Sequence, residues 1–253
     1  QRAANRRTFL AQLLKAGGLT AAAPMFAGER SLRAQDENKL PLAIEGYFDR
    51  MSCLPGEVAG LHVSTSADTY SVQLIRVGAQ PKTYWQAKGL AADLYPVPAD
   101  VAMSGCDWPA ALHLPVGKDW PSGLYVARLQ GERGQEKSET RDALLIVRSL
   151  HPGKQHRILY QVATNTYQAY NEWGGTNLYS GPRFPRVSFD KPFKIYPTPL
   201  IPGQQWYNPN TNSYHTWDEP FIVWAERAGY GVDYCANLDL EFHPDELEQY
   251  QLV

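Results

Sequence analysis

The residues with the most chemical potential lie in one stretch, Ala163-Thr164-Asn165-Thr166-Tyr167-Gln168-Ala169-Tyr170-Asn171-Glu172-Trp173-Gly174-Gly175-Thr176-Asn177-Leu178-Tyr179. It offers three phenols, three asparagine carboxamides and a Gly-Gly turn. It follows Ile158-Leu159-Tyr160-Gln161-Val162-Ala163, a near-continuous apolar run that suits a strand buried on both faces. In open α/β sheets ligands bind beyond the carboxyl ends of strands, which is where this stretch falls. On composition alone it reads equally as an aromatic loop packed under the sheet.

Two acidic clusters compete with it. Asn237-Leu238-Asp239-Leu240-Glu241-Phe242-His243 alternates polar and apolar. As a strand it puts Asn237, Asp239, Glu241 and His243 on one face, which resembles a carboxylate–histidine metal site. The plainer reading is a strand end whose acids are solvated or cap a helix at Pro244. Asp218-Glu219 sits at a predicted helix start, where acids suit the dipole. The six histidines, at positions 62, 113, 151, 156, 215 and 243, show no H-E-x-x-H spacing. None of Cys53, Cys106 and Cys235 forms a C-x-x-C pair, which disfavours a zinc ribbon or thioredoxin-like site. In an oxidising compartment Cys53 and Cys106 can pair and leave Cys235 free.

These residues need elements to hold them. Residues 57–64, 70–76, 110–114, 123–130 and 142–147 each read as a short strand, with the clearest alternation in Ser71-Val72-Gln73-Leu74-Ile75-Arg76-Val77. Closely spaced strands with no convincing helix between them predict an immunoglobulin-like β-sandwich over residues 40–150. His151-Pro152-Gly153-Lys154-Gln155-His156 reads as a domain boundary. Beyond it, Asp218 can cap a helix with Pro220 in its first turn, an apolar stripe of Phe221, Ile222, Trp224, Ala225 and Ala228, and a stop at Gly229. A short strand at 232–235, a short acidic-starting helix at 244–249 and the first residues of another buried strand at 251–253 follow. Strand, helix, strand, helix, strand predicts an α/β domain with a mostly parallel sheet over 157–253. Because the last strand has only begun at Val253, the α/β domain is expected to be truncated.

Asn5-Arg6-Arg7-Thr8-Phe9-Leu10 and the mild apolar stretch after it predict a twin-arginine export signal over residues 1–34, with periplasmic or secreted localisation. The apolar stretch falls short of the roughly 20 residues of a permanent bilayer span, so no membrane anchorage is expected once the signal is removed. The whole chain carries a formal charge of −2. A cut after Ala34 removes six basic residues (Arg2, Arg6, Arg7, Lys15, Arg30, Arg33) and the acid Glu29, leaving 18 basic against 25 acidic residues, a net of −7. An acidic protein without a Lys/Arg cluster is a poor nucleic-acid binder. With 43% hydrophobic residues and 15 Tyr, 7 Trp and 8 Phe, it has material for a core and for aromatic pockets.

The 163–179 stretch resembles the catalytic large subunit of N,N-dimethylformamidase and its relatives, in which a strand runs into Thr-Tyr-x-x-Tyr-Asn and then Gly-Gly-x-x-Leu-Tyr. Arg186-Val187-Ser188-Phe189-Asp190-Lys191-Pro192-Phe193 resembles that family's Ser-Phe-x-Arg-Pro-Phe, with Lys191 in place of the arginine. Gly229-Tyr230-Gly231-Val232-Asp233-Tyr234 and Leu238-Asp239-Leu240 match as well. The resemblance implies a glutamine-amidotransferase-like second domain and one mononuclear Fe(III) held by two tyrosines and a glutamate. Carried over, the first tyrosine is Tyr167 or, as its substitute, Tyr170, beside the pocket residue Asn171, and the second is Tyr179. The glutamate is expected beyond Val253, which makes the stretch up to Val253 inactive by itself.

Two phenolates and a carboxylate neutralise the three charges of a hard Fe(III) ion. A free phenol ionises only near pH 10, so the metal's own field must keep both tyrosines deprotonated. The implied activity is hydrolysis of a C–N bond in a small linear amide. The resemblance leaves room for a homo-oligomer or a small-subunit partner. The rival reading is an exported binding or scaffold protein that keeps the fold without metal or catalysis. A cysteine-dependent amidotransferase fits less well, because Cys235 lies in a strand with no histidine near it in sequence.

Overall fold

The computed structural model describes residues 40–179, 185–194 and 214–253. The export-signal reading at 1–34 lies outside these residues. The described chain is mostly β, with a mixed sheet, a small parallel sheet and few, short helices. Nine strands precede the 151–156 connection: β1 Ile44–Phe48, β2 Ser52–Cys53, β3 Val58–Thr65, β4 Thr69–Arg76, β5 Lys82–Ala91, β6 Ala110–Pro115, β7 Gly123–Arg133, β8 Glu136–Lys137 and β9 Arg141–Val147. Two follow it, β10 Ile158–Val162 and β11 Val232–Ala236. The helices are α1 Val101–Ser104, α2 Thr164–Tyr170, α3 Asp218–Arg227 and α4 Asn237–Phe242, with a 3-10 turn at Pro244–Gln249.

β1, β3 and β6 form an antiparallel sheet. The larger sheet runs β2-β9-β7-β4-β5, with β8 folded back on β7, and is mixed because β2 lies parallel to β9. β10 and β11 pair in parallel, and Leu252 extends that pairing by bridging Ile158. The strand expected at 251–253 is present only as this bridge, and Leu252 and Val253 are exposed.

The central strands explain how the layers adhere. Alternate side chains of a strand point to opposite faces. On β7 and β9, Tyr125, Ala127, Leu129, Ala143, Leu145 and Val147 pack with Phe48, Leu61 and Val63 of the three-stranded sheet. The intervening Leu124, Val126, Leu144 and Ile146 pack with Val162, Ile222, Ala225, Tyr234 and Ala236 of the parallel sheet and α3. Runs such as Ala143-Leu144-Leu145-Ile146-Val147 are apolar at every position because both faces are covered. Residues 41–253 accordingly form one compact unit.

Three local expectations are corrected. Residues 237–242 are the helix α4, so the polar side chains at alternate positions do not share a strand face. Asp239 instead turns inward, accepting the Ala236 amide at 2.6 Å and the Ser52 hydroxyl. Asp218 makes no cap hydrogen bond for α3; it is buried and accepts the Tyr160 hydroxyl at 3.0 Å. Cys53 and Cys106 are unpaired buried thiols, as is Cys235. Gly229 does end α3, at φ +83, a conformation an L side chain disfavours.

Candidate functional site

The parallel strands set the site's floor. At their carboxyl ends the Thr164 hydroxyl donates to Asn237 Oδ1 at 3.3 Å, and the Asn165 amide donates to the same oxygen at 3.0 Å. α2 begins at this junction. Its inner stripe, Thr164, Tyr167 and Gln168, has the i, i+3, i+4 spacing of one helical face and is buried. Tyr167 joins the core that contains Phe193 and Tyr214, yet its hydroxyl has no hydrogen-bond partner among the described residues. A buried unpaired hydroxyl costs about 1–3 kcal/mol, so such groups mark a site or a missing ligand.

After α2 the chain leaves and returns within nine residues. Leu178 N donates to Ala169 O at 3.0 Å, Asn177 Nδ2 to Tyr170 O at 3.1 Å, and Tyr179 N to Asn177 Oδ1 at 2.7 Å. The loop therefore closes on the end of the helix. Tyr179 lands on Tyr170, ring centroids 4.4 Å apart at 29°. Tyr179 is 63% exposed, whereas Tyr167 is buried. The structure thus brings Tyr170, the substitute residue, against Tyr179.

Asn171 organises the start of the loop. Its Nδ2 donates to Gln168 Oε1 (2.8 Å) and Pro192 O (2.9 Å), and its Oδ1 accepts the amides of Trp173 (3.1 Å) and Lys194 (3.0 Å). These bonds saturate the amide. Asn171 is a scaffold for the loop, a role its pocket assignment did not foresee. Lys191, fully buried, donates from Nζ to Asn171 O at 3.1 Å and Trp173 O at 3.0 Å. Burial pulls its ammonium down to about 8.

The loop also leans on the β layers. Trp173 packs edge-on against Trp108, centroids 5.9 Å apart, and Trp108 lies against Tyr47, which stacks on His62. Gly174 adopts φ +87, and a Cβ there would lie 2.4 Å from Val101 Cγ1 of α1. Only glycine permits both the backbone and the approach.

Gln168, Trp173, Asn177 and Lys191 are the positioning residues that sequence reasoning missed. Buried polar residues beside Gly-Gly were the available signal, because a loop that buries its backbone must satisfy it with side chains. Burial pushes the thiols of Cys53, Cys106 and Cys235 up to about 12, which leaves them poor nucleophiles. Among the described residues no three His, Cys, Asp or Glu side chains gather as a metal-holding group. The donors present in the 163–179 stretch are phenols, the type a hard trivalent cation takes. No described helix is long and apolar enough to cross a membrane.

No curated protein matches the chain. Among solved structures, a computationally redesigned β-sandwich protein aligns at 10% identity over 44% of this chain and 95% of its own, with a TM-score of 0.25. A chain from a study of T cell specificity and activation by the bacterial superantigen toxic shock syndrome toxin-1 aligns at 13% identity over 42% and 99%, also with a TM-score of 0.25. A family model described as N,N-dimethylformamidase beta subunit-like, C-terminal, matches residues 71–253, from within β4 to the last residue. With the Tyr-x-x-Tyr-Asn helix, the Gly-Gly loop and the parallel β10–β11 pair inside that match, the chain belongs to the N,N-dimethylformamidase beta subunit-like family.

Proposed function

We propose that the complete protein is an iron-dependent amidohydrolase that hydrolyses the C–N bond of a small linear amide, adding water to give an acid and an amine. The observation that carries this reading, beside family membership, is the Tyr167 hydroxyl, buried without a partner at the carboxyl end of β10. An oxygen donor left unpaired there fits a hard cation. In this reading Tyr167 and Tyr179 are the two phenolate ligands, Tyr170 is the substitute for Tyr167, and a glutamate beyond Val253 completes one Fe(III) site. When bound, the ion supplies Lewis-acid polarisation of the amide carbonyl and acidifies water.

The chain's own residues supply position. Asn237 pins the start of α2, and Asn177 fixes the amide of Tyr179, so both tyrosines leave ordered backbone. The half-buried Tyr170 ring stacks on Tyr179 and orients its phenol. We further assign the β layers to an immunoglobulin-like sandwich, the 157–253 part to an amidotransferase-like α/β domain, and the protein to the periplasm or exterior by the twin-arginine route.

Metal analysis and visible absorption of the complete protein test this directly. Iron near one per chain, a tyrosinate-to-iron band and release of amine from N,N-dimethylformamide or a related amide are the expected results. Tyr179→Phe is expected to bleach the band and abolish turnover while the fold survives. A colourless, iron-free and inactive complete protein supports the binding or scaffold reading.

A further inference from the structure

Lys191 has no exposure, and among the described residues no carboxylate acts on its ammonium. Burying an ammonium without a counter-charge is expensive, so it must secure something that an apolar side chain would not. What it holds are the carbonyls of Asn171 and Trp173, which bracket the first turn of the loop ending at Tyr179. The segment that carries it is itself tied on both sides. Ser188 N donates to Ala102 O at 2.8 Å and Cys106 N to Asp190 O at 2.7 Å, fixing the segment to the turn around α1. Gln168 Nε2 donates to Ser188 O, and Asn171 bonds Pro192 O and the Lys194 amide, fixing it to α2 and the loop.

We infer that Lys191 is a positioning residue: it clamps the 171–179 loop so that Tyr179 comes to rest against Tyr170, and it acts on the reaction only through that placement. Its catalytic consequence rests on the iron-site reading above. The clamp itself does not.

The test uses the complete protein, Lys191→Met and Lys191→Arg. Hydrogen exchange is followed in peptides covering 171–179, with 123–133 of β7 as the internal control. Lys191→Met leaves both carbonyls unpaired, and we expect its loop amides to exchange at least about tenfold faster while β7 stays at wild-type protection. Lys191→Arg keeps a buried cation with N–H donors, and it should return exchange to within about threefold of wild type. Where the tyrosinate-to-iron band exists, Lys191→Met should shift or weaken it and lower kcat more than it raises KM, and Lys191→Arg should restore both. If Lys191→Met does not accumulate as folded protein, Lys191→Gln carries the same comparison, with an N–H donor but no charge. Loop exchange equal to wild type in folded Lys191→Met, or in Lys191→Gln where that variant replaces it, overturns the proposal, even if the iron band is lost. A wild-type protein without the band defeats the iron reading, while accelerated loop exchange in Lys191→Met still supports the clamp.

Discussion

Tyr170 and Tyr179 lie nine positions apart in sequence and stack at 4.4 Å, because the loop between them hydrogen-bonds back onto the helix that ends at Tyr170. Tyr167, one turn earlier, points to the core instead. The three phenols therefore divide between a stacked pair, one half-buried and one exposed, and a buried single hydroxyl, which their variants can tell apart.

Tyr167→Phe removes the unpaired buried oxygen and keeps the ring. In the metal-free protein it should raise unfolding stability by about 1 kcal/mol, since the cost of an unsatisfied group disappears. In the complete protein it should abolish iron uptake. Denaturant melts with and without iron check both halves, and a stability loss in the metal-free state would contradict the orphan hydroxyl.

Gly174→Ala should loosen the loop from α1. The left-handed backbone and the 2.4 Å approach to Val101 Cγ1 both oppose a side chain. A loss of about 1–3 kcal/mol is expected, with the quenching of Trp173 fluorescence changed by its altered contact with Trp108. An unchanged melt would mean that the loop does not need this approach.

Asp218 is raised to about 6 by burial, which outweighs the Tyr160 hydrogen bond that lowers it. A carboxylate whose folded pKa exceeds its unfolded value of about 3.9 binds an extra proton in the folded state between the two. Stability should therefore fall as pH rises from about 4 to about 6, and level off above that. Asp218→Asn should remove this slope and gain about 2 kcal/mol at neutral pH. Thermal melts across that range measure it.

His215 anchors the start of α3 to the mixed sheet. Its Nδ1 lies 2.6 Å from Glu219 Oε2, and its Nε2 lies 3.7 Å from Asp142 Oδ2. Burial lowers its pKa, but the hydrogen bonds to Asp142 and Glu219 prevail and raise it. The resulting stabilisation is full below the ordinary imidazole range and is lost as pH rises through the raised folded value. His215→Gln should flatten stability against pH above about 6.5. A mutant with the wild-type slope there would show that other groups set it.

Much of the β framework was legible in sequence because both faces of its central strands are buried. β7 and β9 are apolar at consecutive positions, and the residues 123–130 and 142–147 read as strands almost to their observed ends. β5 was missed because it is an edge strand: Lys82, Gln86, Lys88 and Gly89 stand exposed, so no apolar alternation exists to be read. The 237–243 alternation misled for the opposite reason. Its periodicity matches a strand, but the Asp239 side chain offers the chain end of β11 a cap that favours a helical turn.

By itself the sequence determined which residue types could do the chemistry and where along the chain they sit. The phenols after β10, the Gly-Gly turn and the absence of a histidine motif are all local in sequence, and local composition carries them. Which phenol meets which, and what holds them, was decided by the tertiary structure. The Tyr170–Tyr179 stack depends on loop closure, the orphaned Tyr167 hydroxyl on the core around Phe193 and Tyr214, and the loop's footing on Lys191, Trp108 and Val101. Those contacts join residues distant in sequence, and their energies arise only once water has been excluded from between the layers.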